Sequence, residues 1–362
     1  MIQPLALHDI HAAAGATFAV AAGFEIVDNY GDPAAEHARL WKHAGLLDLS
    51  YRSRLCVTGA DRARFLHGQV TNDIQRLRTG DGCYTAIVNG KGKMESDANV
   101  WRLPDEMLLD FEPGLATSIA QRLEKYIVAD DVQVQDVGPY YGLISVQGPE
   151  AERVIRVTGI FGEAVPGTLK FSQCADGATG DLYLMNQPRT GTTGYDCFIP
   201  LAAMKTVAEA LLAASKAAGG GWCGWQALEA ARIEAGIPRF GMDMDAGNLP
   251  LECIGDRAVS YNKGCYIGQE VLNRVHTVGH VNRELRGLRL ADDLRALPVK
   301  GDKLIHAEKE AGFITSALAS VRFKSKIAMG YVRRECNQIG SELTLRTADG
   351  ESVAKVVALP LE

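Results

Sequence analysis

The alternation of apolar and polar positions divides the chain into repeating and non-repeating parts. Residues 54–66 (RLCVTGADRARFL) and 142–155 (GLISVQGPEAERVI) each read as an apolar strand, a glycine turn at Gly59 or Gly148, and a helix with apolar residues at helical spacing. A second pair follows. LLDFEPGLATSIAQRL at 108–123 and YDCFIPLAAMKTVAEAL at 195–211 each run from a strand through a proline turn into a helix. The first pair is offset by 89 residues and the second by 87, so 50–215 reads as a duplicated strand–helix unit. Such units pack as mixed sheets with helices on one side, an α+β fold.

Residues 89–93 (NGKGK) separate the apolar runs 84–88 and 98–103, which predicts a hairpin. Residues 226–234 read as a helix that stops at Gly236. Beyond about residue 283 the rhythm changes. Short runs at 285–290, 303–305, 327–332, 343–346 and 354–358 are separated by Gly, Asp and Asn, as in a small antiparallel barrel.

Length and composition narrow the function classes. A chain of 362 residues is expected to form two or three domains. Its 47% hydrophobic and 23% charged residues are those of a globular protein. The net charge of -6 argues against a nucleic-acid backbone as direct partner, while leaving room for a local basic site. The apolar stretch 12–24 is too short to span a bilayer and lacks a basic start, so the expectation is a cytoplasmic protein with no membrane partner. The eight cysteines are scattered without a Cys-x-x-Cys pair, so no metal site is expected from this chain alone.

Candidate chemistry concentrates in 232–283. Glu234 and Glu252 flank a Gly/Pro-rich turn, and a half-buried carboxylate is costly unless paired. A flat heterocycle presenting an amino group beside a ring N–H, as guanine and pterin do, would satisfy it in the manner of an arginine fork with the roles exchanged. An ion pair to Arg232, Arg239 or Arg257 is the alternative. In Lys263-Gly264-Cys265-Tyr266-Ile267-Gly268-Gln269-Glu270 the cation lies two residues from the thiol, and a helix opening at Gly268 would further favour a thiolate. Cys265 is thus a candidate nucleophile, redox group or soft metal ligand, or else a buried structural cysteine. Asp97 follows the hairpin on a strand with Ala98 and Val100, as either a solvent-facing residue or an inward-facing acid in a site. The turn at Gly90–Lys93 lacks the nucleotide-loop pattern, and the residues between His276 and His280 fit a strand or loop better than a metal-binding helix.

These residues resemble the aminomethyltransferase superfamily of the glycine-cleavage T-protein and its YgfZ relatives, over nearly the whole chain. The resemblance is carried by Tyr30, Glu36 and AGLLDLS at 44–50, by FLHGQVTNDI at 65–74, SVQGPEA, TGYDCFIP at 193–200, RIEAGIPRFGMDMDAGNLPLE, GFITSALAS and IAMGYV. It implies a three-domain cloverleaf around a folate pocket. Units at 1–50 and 142–282 would form the pocket (second repeat 142–215), with the first repeat at 51–141 and a C-terminal barrel at 283–362. It implies tetrahydrofolate, or a one-carbon-substituted form, as ligand, held by Glu234, Glu252 and Tyr266 with Arg283 on the folate tail. KGCYIGQE resembles the YgfZ signature. That branch implies a factor maintaining iron–sulfur enzymes, and indirectly tRNA modification, with Cys265 as functional thiol, Lys263 beside it, and iron–sulfur client or assembly proteins as partners. T-proteins carry two acids after the hairpin where this chain has Ser96-Asp97. The retained Asp97 keeps a second reading open, a tetrahydrofolate-dependent aminomethyl- or methyltransferase.

Overall fold

The computed structural model describes residues 2–162, 165–176 and 180–361. The chain opens with α1 (His8–Ala13), the hairpin β1 (Thr17–Ala21) and β2 (Phe24–Asn29), α2 (Pro33–Lys42) and β3 (Gly45–Asp48). Asp32 starts α2 by accepting the Ala35 N–H at 3.0 Å, with Pro33 in the first turn where no N–H is needed. Then come β4 (Ser53–Thr58), α3 (Arg62–Gln69), β5 (Gly82–Val88), β6 (Met94–Arg102), β7 (Met107–Phe111), α4 (Ala116–Glu124) and β8 (Gln133–Asp136). These five strands form one sheet in the order β5-β6-β7-β4-β8.

The pattern then repeats. β9 (Tyr141–Gln147), α5 (Ala151–Thr158), β10 (Phe171–Asp176), β11 (Gly180–Asn186), β12 (Gly194–Pro200), α6 (Met204–Ala217) and β13 (Gly221–Trp222) build a second sheet ordered β10-β11-β12-β9-β3-β13. The run β5-β6-β7-β4 recurs as β10-β11-β12-β9, so the duplication read from the sequence is present in the strand order. The copies differ at one edge. In the first, β8 folds back onto β4; in the second, β3 occupies that place and β13 pairs with it in parallel. Helix α5 shows why the local sequence suffices: Ala151, Val154 and Ile155 form its buried face, and Gly159 ends it with a left-handed φ of 67°.

The two sheets touch through equivalent residues. Asp81 and Lys170 form an antiparallel bridge, and they stand 89 residues apart, the offset of the repeat. On either side the Phe171 N–H donates to Gly80 O at 2.9 Å and the Gly82 N–H to Leu169 O at 2.7 Å. The Lys170 ammonium and Asp81 carboxylate pair at 2.7 Å.

After α7 (Trp225–Glu234), α8 (Pro250–Cys253) and α9 (Gln269–Thr277), the chain closes a six-stranded barrel. Its strands are β14 (Arg283–Leu290), β15 (Lys303–His306), β16 (Lys309–Ser320), β17 (Ser325–Arg333), β18 (Glu342–Thr347) and β19 (Gly350–Val357), ordered β14-β17-β16-β15-β18-β19. The hydrophobic pattern had not marked β16, although at 12 residues it is long. Its middle is rich in Gly, Ala, Ser and Thr, and a register shift between Ile314 and Ser316 breaks the alternation that would have revealed it. Helix α9 ends at Thr277, so Val278, Gly279 and His280 lie beyond it, as expected of the residues between the two histidines. No helix among the described residues is long and apolar enough to cross a membrane.

The turn glycines of the duplicated unit are sterically required. Gly148 has φ +130°, and a Cβ there would lie 2.2 Å from His43 O; one on Gly59, at φ +99°, would lie 2.0 Å from Asp131 O. Gly15 also has a left-handed φ, +85°, but nothing stands within 4 Å of its would-be Cβ. We expect Gly148→Ala to cost more than about 2 kcal/mol and Gly15→Ala about 1 kcal/mol, measured by urea denaturation. Equal losses at the two sites would show that the close approach of the His43 carbonyl contributes nothing.

Candidate ligand site between the two sheets

A cavity of about 300 Å³ opens where the two sheets face α7. Its walls come from both repeats: Tyr51 and Arg52 after β3, Tyr84 on β5, Asp97 and Asn99 on β6, Glu112 after β7, and Gln187 and Arg189 between β11 and β12. Leu228 and Arg232 of α7, with Arg239 and Arg257, close it.

Buried ion pairs hold these walls in place. Asp110 on β7 accepts from Arg52 Nε at 2.8 Å and from Arg189 Nη2 at 2.7 Å. Arg189 continues to Asp196 on β12, whose Oδ1 also accepts from Ser145 Oγ at 2.7 Å. Arg52 reaches Glu112 at 2.6 Å, Arg239 pairs with Glu229 at 2.8 Å, and Arg232 joins Glu229 to Asp243. Burial alone would push the Asp110 carboxyl up, but Arg189 and Arg52 hold it down at about 2.

Asp97 behaves in the opposite way. Burial, helped by the Glu112 charge, pushes its carboxyl up to about 6. Its Oδ2 accepts the Tyr84 hydroxyl at 2.7 Å, while its Oδ1 is buried without a partner. Three further buried polar atoms on the same walls have no partner: Asn99 Oδ1, Gln187 Oε1 and Arg239 Nη1. Unpaired buried polar atoms are costly, and four on one cavity wall point to a ligand that satisfies them. Three are acceptors and one is a donor, so the complementary ligand is rich in N–H groups and carries at least one acceptor. The rings of Tyr51 and Tyr84 and the side chains of Leu169, Pro188 and Leu228 supply apolar surface for a flat ring.

Of the candidate catalytic and ligand-binding residues picked out from the sequence, Asp97 lines this cavity, as do Arg232, Arg239 and Arg257, which were weighed there only as ion-pair partners. Glu234 is 1% exposed, hydrogen-bonded to His37 Nε2 at 2.9 Å and accepting Ser320 Oγ–H at 2.5 Å, so it ties α2, α7 and β16 together. Glu252 caps α8: its Oε2 accepts the Leu249 N–H at 3.0 Å and Asn248 Nδ2 at 3.3 Å, and Arg283 Nε lies 3.4 Å from its Oε1. The ion pair weighed as an alternative for Glu252 therefore exists, with Arg283 instead of Arg232, Arg239 or Arg257. The same contact draws Arg283 away from the cavity, over the Tyr331 ring at 4.8 Å.

The cysteine loop is built differently from expectation as well. Lys263 donates all three ammonium protons to backbone carbonyls, those of His67, Val70 and Asn72 at 2.5, 2.8 and 2.7 Å. It fastens the loop to the end of α3 and has no proton left for the thiol. Burial brings its ammonium down to about 8. Tyr266 is buried against Ala86, Val88, Met94 and Leu272. Cys265 is exposed, unlike the other seven cysteines, and it does not line the cavity. Among the described residues no cluster of His, Cys, Asp or Glu could hold a metal ion, and His276 stacks on Tyr261 at 3.6 Å.

Sequence reasoning missed Arg52, Tyr84, Glu112, Gln187 and Arg189. One signal was available. The repeats read Phe-Glu-Pro at 111–113 and Phe-Ile-Pro at 198–200, so Glu112 is an acid where its counterpart is apolar.

Comparison with known proteins gives a consistent result over the full length. The model of the GCVT N-terminal domain matches residues 7–263, and that of the glycine cleavage T-protein C-terminal barrel domain matches 283–361. An aminomethyltransferase of Synechococcus sp. is 29% identical over 353 residues, 96% of this chain and 95% of that protein. One from Halalkalibacterium halodurans is 27% identical over 342 residues, 93% of this chain and 92% of that protein. The crystal structure of glycine cleavage system aminomethyltransferase T from Bartonella henselae superposes with a TM-score of 0.90 at 25% identity, covering 99% of this chain and 98% of that one.

The environment of Asp97 sets a pH dependence of stability. A carboxyl raised from 3.8 in the unfolded chain to about 6 in the fold takes up protons on folding between those values. Stability therefore falls as pH rises from about 4 to about 6, and the cost of about 3 kcal/mol persists above that range. Asp97→Asn should be more stable than the native protein by about that amount at pH 7.5, the gap closing toward pH 4. Denaturant titrations at the two pH values check this; a less stable variant at pH 7.5 would mean that the charge is compensated.

Proposed function

This chain belongs to the glycine cleavage T-protein family, and from that premise we propose that it transfers a one-carbon unit to tetrahydrofolate in the manner of an aminomethyltransferase. The observation that carries the reading is the unpaired Asp97 Oδ1 on the cavity wall, accompanied by Asn99 Oδ1, Gln187 Oε1 and Arg239 Nη1. A reduced pterin offers several N–H donors and a carbonyl acceptor on one flat ring, the complement of that set. Asp97, held by Tyr84, has its carboxyl near neutrality and can exchange a proton with the nitrogen that receives the one-carbon unit. Tyr51 and Tyr84 flank the ring, and the ion pairs around Asp110 fix the walls against which it orients.

The names of the relatives favour this reading, second in the sequence analysis, over the iron–sulfur maintenance role. The latter is supported by one local feature, the exposed Cys265 in its KGCYIGQE loop. A reactive thiol there would act outside the cavity, so the two readings make different demands on variants.

Calorimetric titration with tetrahydrofolate separates them, together with an assay for methylenetetrahydrofolate formed from an aminomethyl donor. Arg239→Ala should weaken binding about tenfold or more, through loss of a buried charge-assisted contact. Asp97→Asn should keep affinity within about threefold and lower transfer by about a hundredfold or more. Glu252→Ala and Cys265→Ala should change neither. Absence of tetrahydrofolate binding by the native protein, or transfer lost in Cys265→Ala and kept in Asp97→Asn, would sink the transferase reading.

A further inference from the structure

The two sheets meet through two copies of one tight turn, and the copies differ at a single telling side chain. In the first repeat the Asp81 N–H donates back to Arg78 O at 2.9 Å, and in the second the Lys170 N–H donates back to Gly167 O at 2.9 Å. The third residue of each turn, Gly80 or Leu169, has a left-handed backbone, with φ of +96° and +54°. The two stand 89 residues apart, the offset of the repeat. Their backbone partners correspond as well. The Gly80 N–H donates to Arg102 O at the end of β6 at 3.1 Å, and the Leu169 N–H to Asn186 O at the end of β11, the equivalent strand, at 3.2 Å. Each carbonyl accepts from the opposite repeat, Gly80 O from Phe171 and Leu169 O from Gly82.

Both turns therefore require a left-handed residue, and glycine adopts that conformation without steric cost. A Cβ on Gly80 would meet only Phe171 O, at 3.8 Å, so glycine stands there for its backbone and not for want of room. Leucine at the equivalent position is strained, because its Cβ crowds the backbone in this conformation. Among the described residues the non-glycine positions with left-handed φ are Ala22, Leu169, Ala307, Glu308 and Lys324, and of these Leu169 alone lines the central cavity.

We infer that Leu169 is kept, against the preference of its own backbone, as a binding residue whose side chain packs on the flat ring of the ligand in the central cavity. The inference rests on the tetrahydrofolate reading and assigns a ring contact within it. Leu169 is half-buried and packs against the apolar cluster that contains Tyr51 and Leu228, which line the same cavity. The three form an apolar surface beside the unpaired polar atoms of Asp97, Asn99, Gln187 and Arg239. A reduced pterin has the matching division, polar groups around its edge and apolar faces. The turn pins the leucine in place. Its N–H and carbonyl are both bonded, and the neighbouring Lys170 is held by Asp81 at 2.7 Å, so the side chain is presented from a fixed backbone.

The test titrates the full chain calorimetrically with tetrahydrofolate and with a methylated tetrahydropterin, the reduced ring without its tail. Leu169→Ala and Leu169→Gly should each weaken both ligands about tenfold, the loss of one apolar contact. Stability should separate the two variants. Glycine relieves the left-handed backbone and alanine does not, so Leu169→Gly should unfold at the higher urea concentration. A leucine kept only to pack the fold would lose stability on truncation and leave both affinities within about twofold of native; that result overturns the inference. Weakened tetrahydrofolate beside an unchanged ring-only ligand overturns it too, since the side chain would then touch something other than the ring. Greater stability of Leu169→Ala than of Leu169→Gly would remove the strain on which the argument stands. Failure of the native protein to bind either ligand overturns the tetrahydrofolate reading, and the ring contact with it.

Discussion

Asp110 sits on β7 with almost no solvent exposure and holds Arg52 on one oxygen and Arg189 on the other. Arg52 belongs to the first repeat and Arg189 to the second, so a single carboxylate joins the two halves across the interior. Two arginines around one acid would leave a net positive charge; Glu112 and Asp196 more than cancel it from either side, and Arg239, 3.8 Å from Glu112, offsets the excess. Such a chain gains little over a well-packed apolar interior, but removal of one member costs about 3–5 kcal/mol because its partners stay buried and charged. Its effect is to fix position. With the arginines committed to Asp110, the walls carrying Tyr84, Asp97 and Gln187 cannot slide relative to one another without breaking charge-assisted bonds. The polar atoms left unpaired on those walls are then held in fixed positions.

Much of this architecture was legible in the sequence because it follows from local periodicity. The repeat at an offset near 89 residues, the hairpin after Val88, the helix ending before Gly236 and the barrel rhythm beyond residue 283 are patterns of spacing and turn chemistry. Of the candidate site, Asp97 was legible, an acid on an otherwise apolar strand after a hairpin. Glu234, Glu252 and Arg283 are committed to protein partners in this fold, and their local sequence does not reveal it. A carboxylate beside a Gly/Pro turn is equally suited to gripping a ligand and to capping a short helix, and only the three-dimensional neighbours decide. His37 lies 197 residues from Glu234 and Ser320 lies 86 residues away, so nothing near Glu234 in the chain betrays its structural task. Lys263 is a similar case, since its closeness to Cys265 in sequence says nothing of the three carbonyls of α3 and its exit that take its protons.

The contrast between Asp110 and Asp97 shows how one fold sets two carboxyls apart. Both lie on adjacent strands of the same sheet, and burial penalises the charge of each. Asp110 has two arginines within hydrogen-bond reach and stays ionised; Asp97 has a neutral phenol and the repulsion of Glu112. A residue with no cationic partner near a cavity is able to change protonation state close to neutral pH, whereas a doubly paired one is fixed. The division also accounts for the scattered cysteines. Burial pushes the thiols of Cys83 and Cys253 up to about 12, which makes them inert packing groups.

The bridge between Asp81 and Lys170 carries a further meaning, because each residue pairs with its own counterpart in the other repeat. The flanking bonds, Phe171 to Gly80 and Gly82 to Leu169, exchange into one another when the two repeats are swapped. That is the property of a two-fold axis passing through the bridge. A single unit standing alone would end in an exposed strand edge at this point, open to indiscriminate pairing. Two identical units joined edge to edge would close it with the same bonds on both sides, as an isologous dimer does. The chain thus has the geometry of a homodimer fused into one polypeptide, and fusion is what allows its two halves to differ. Only one carries Asp97, and only the other carries Arg189.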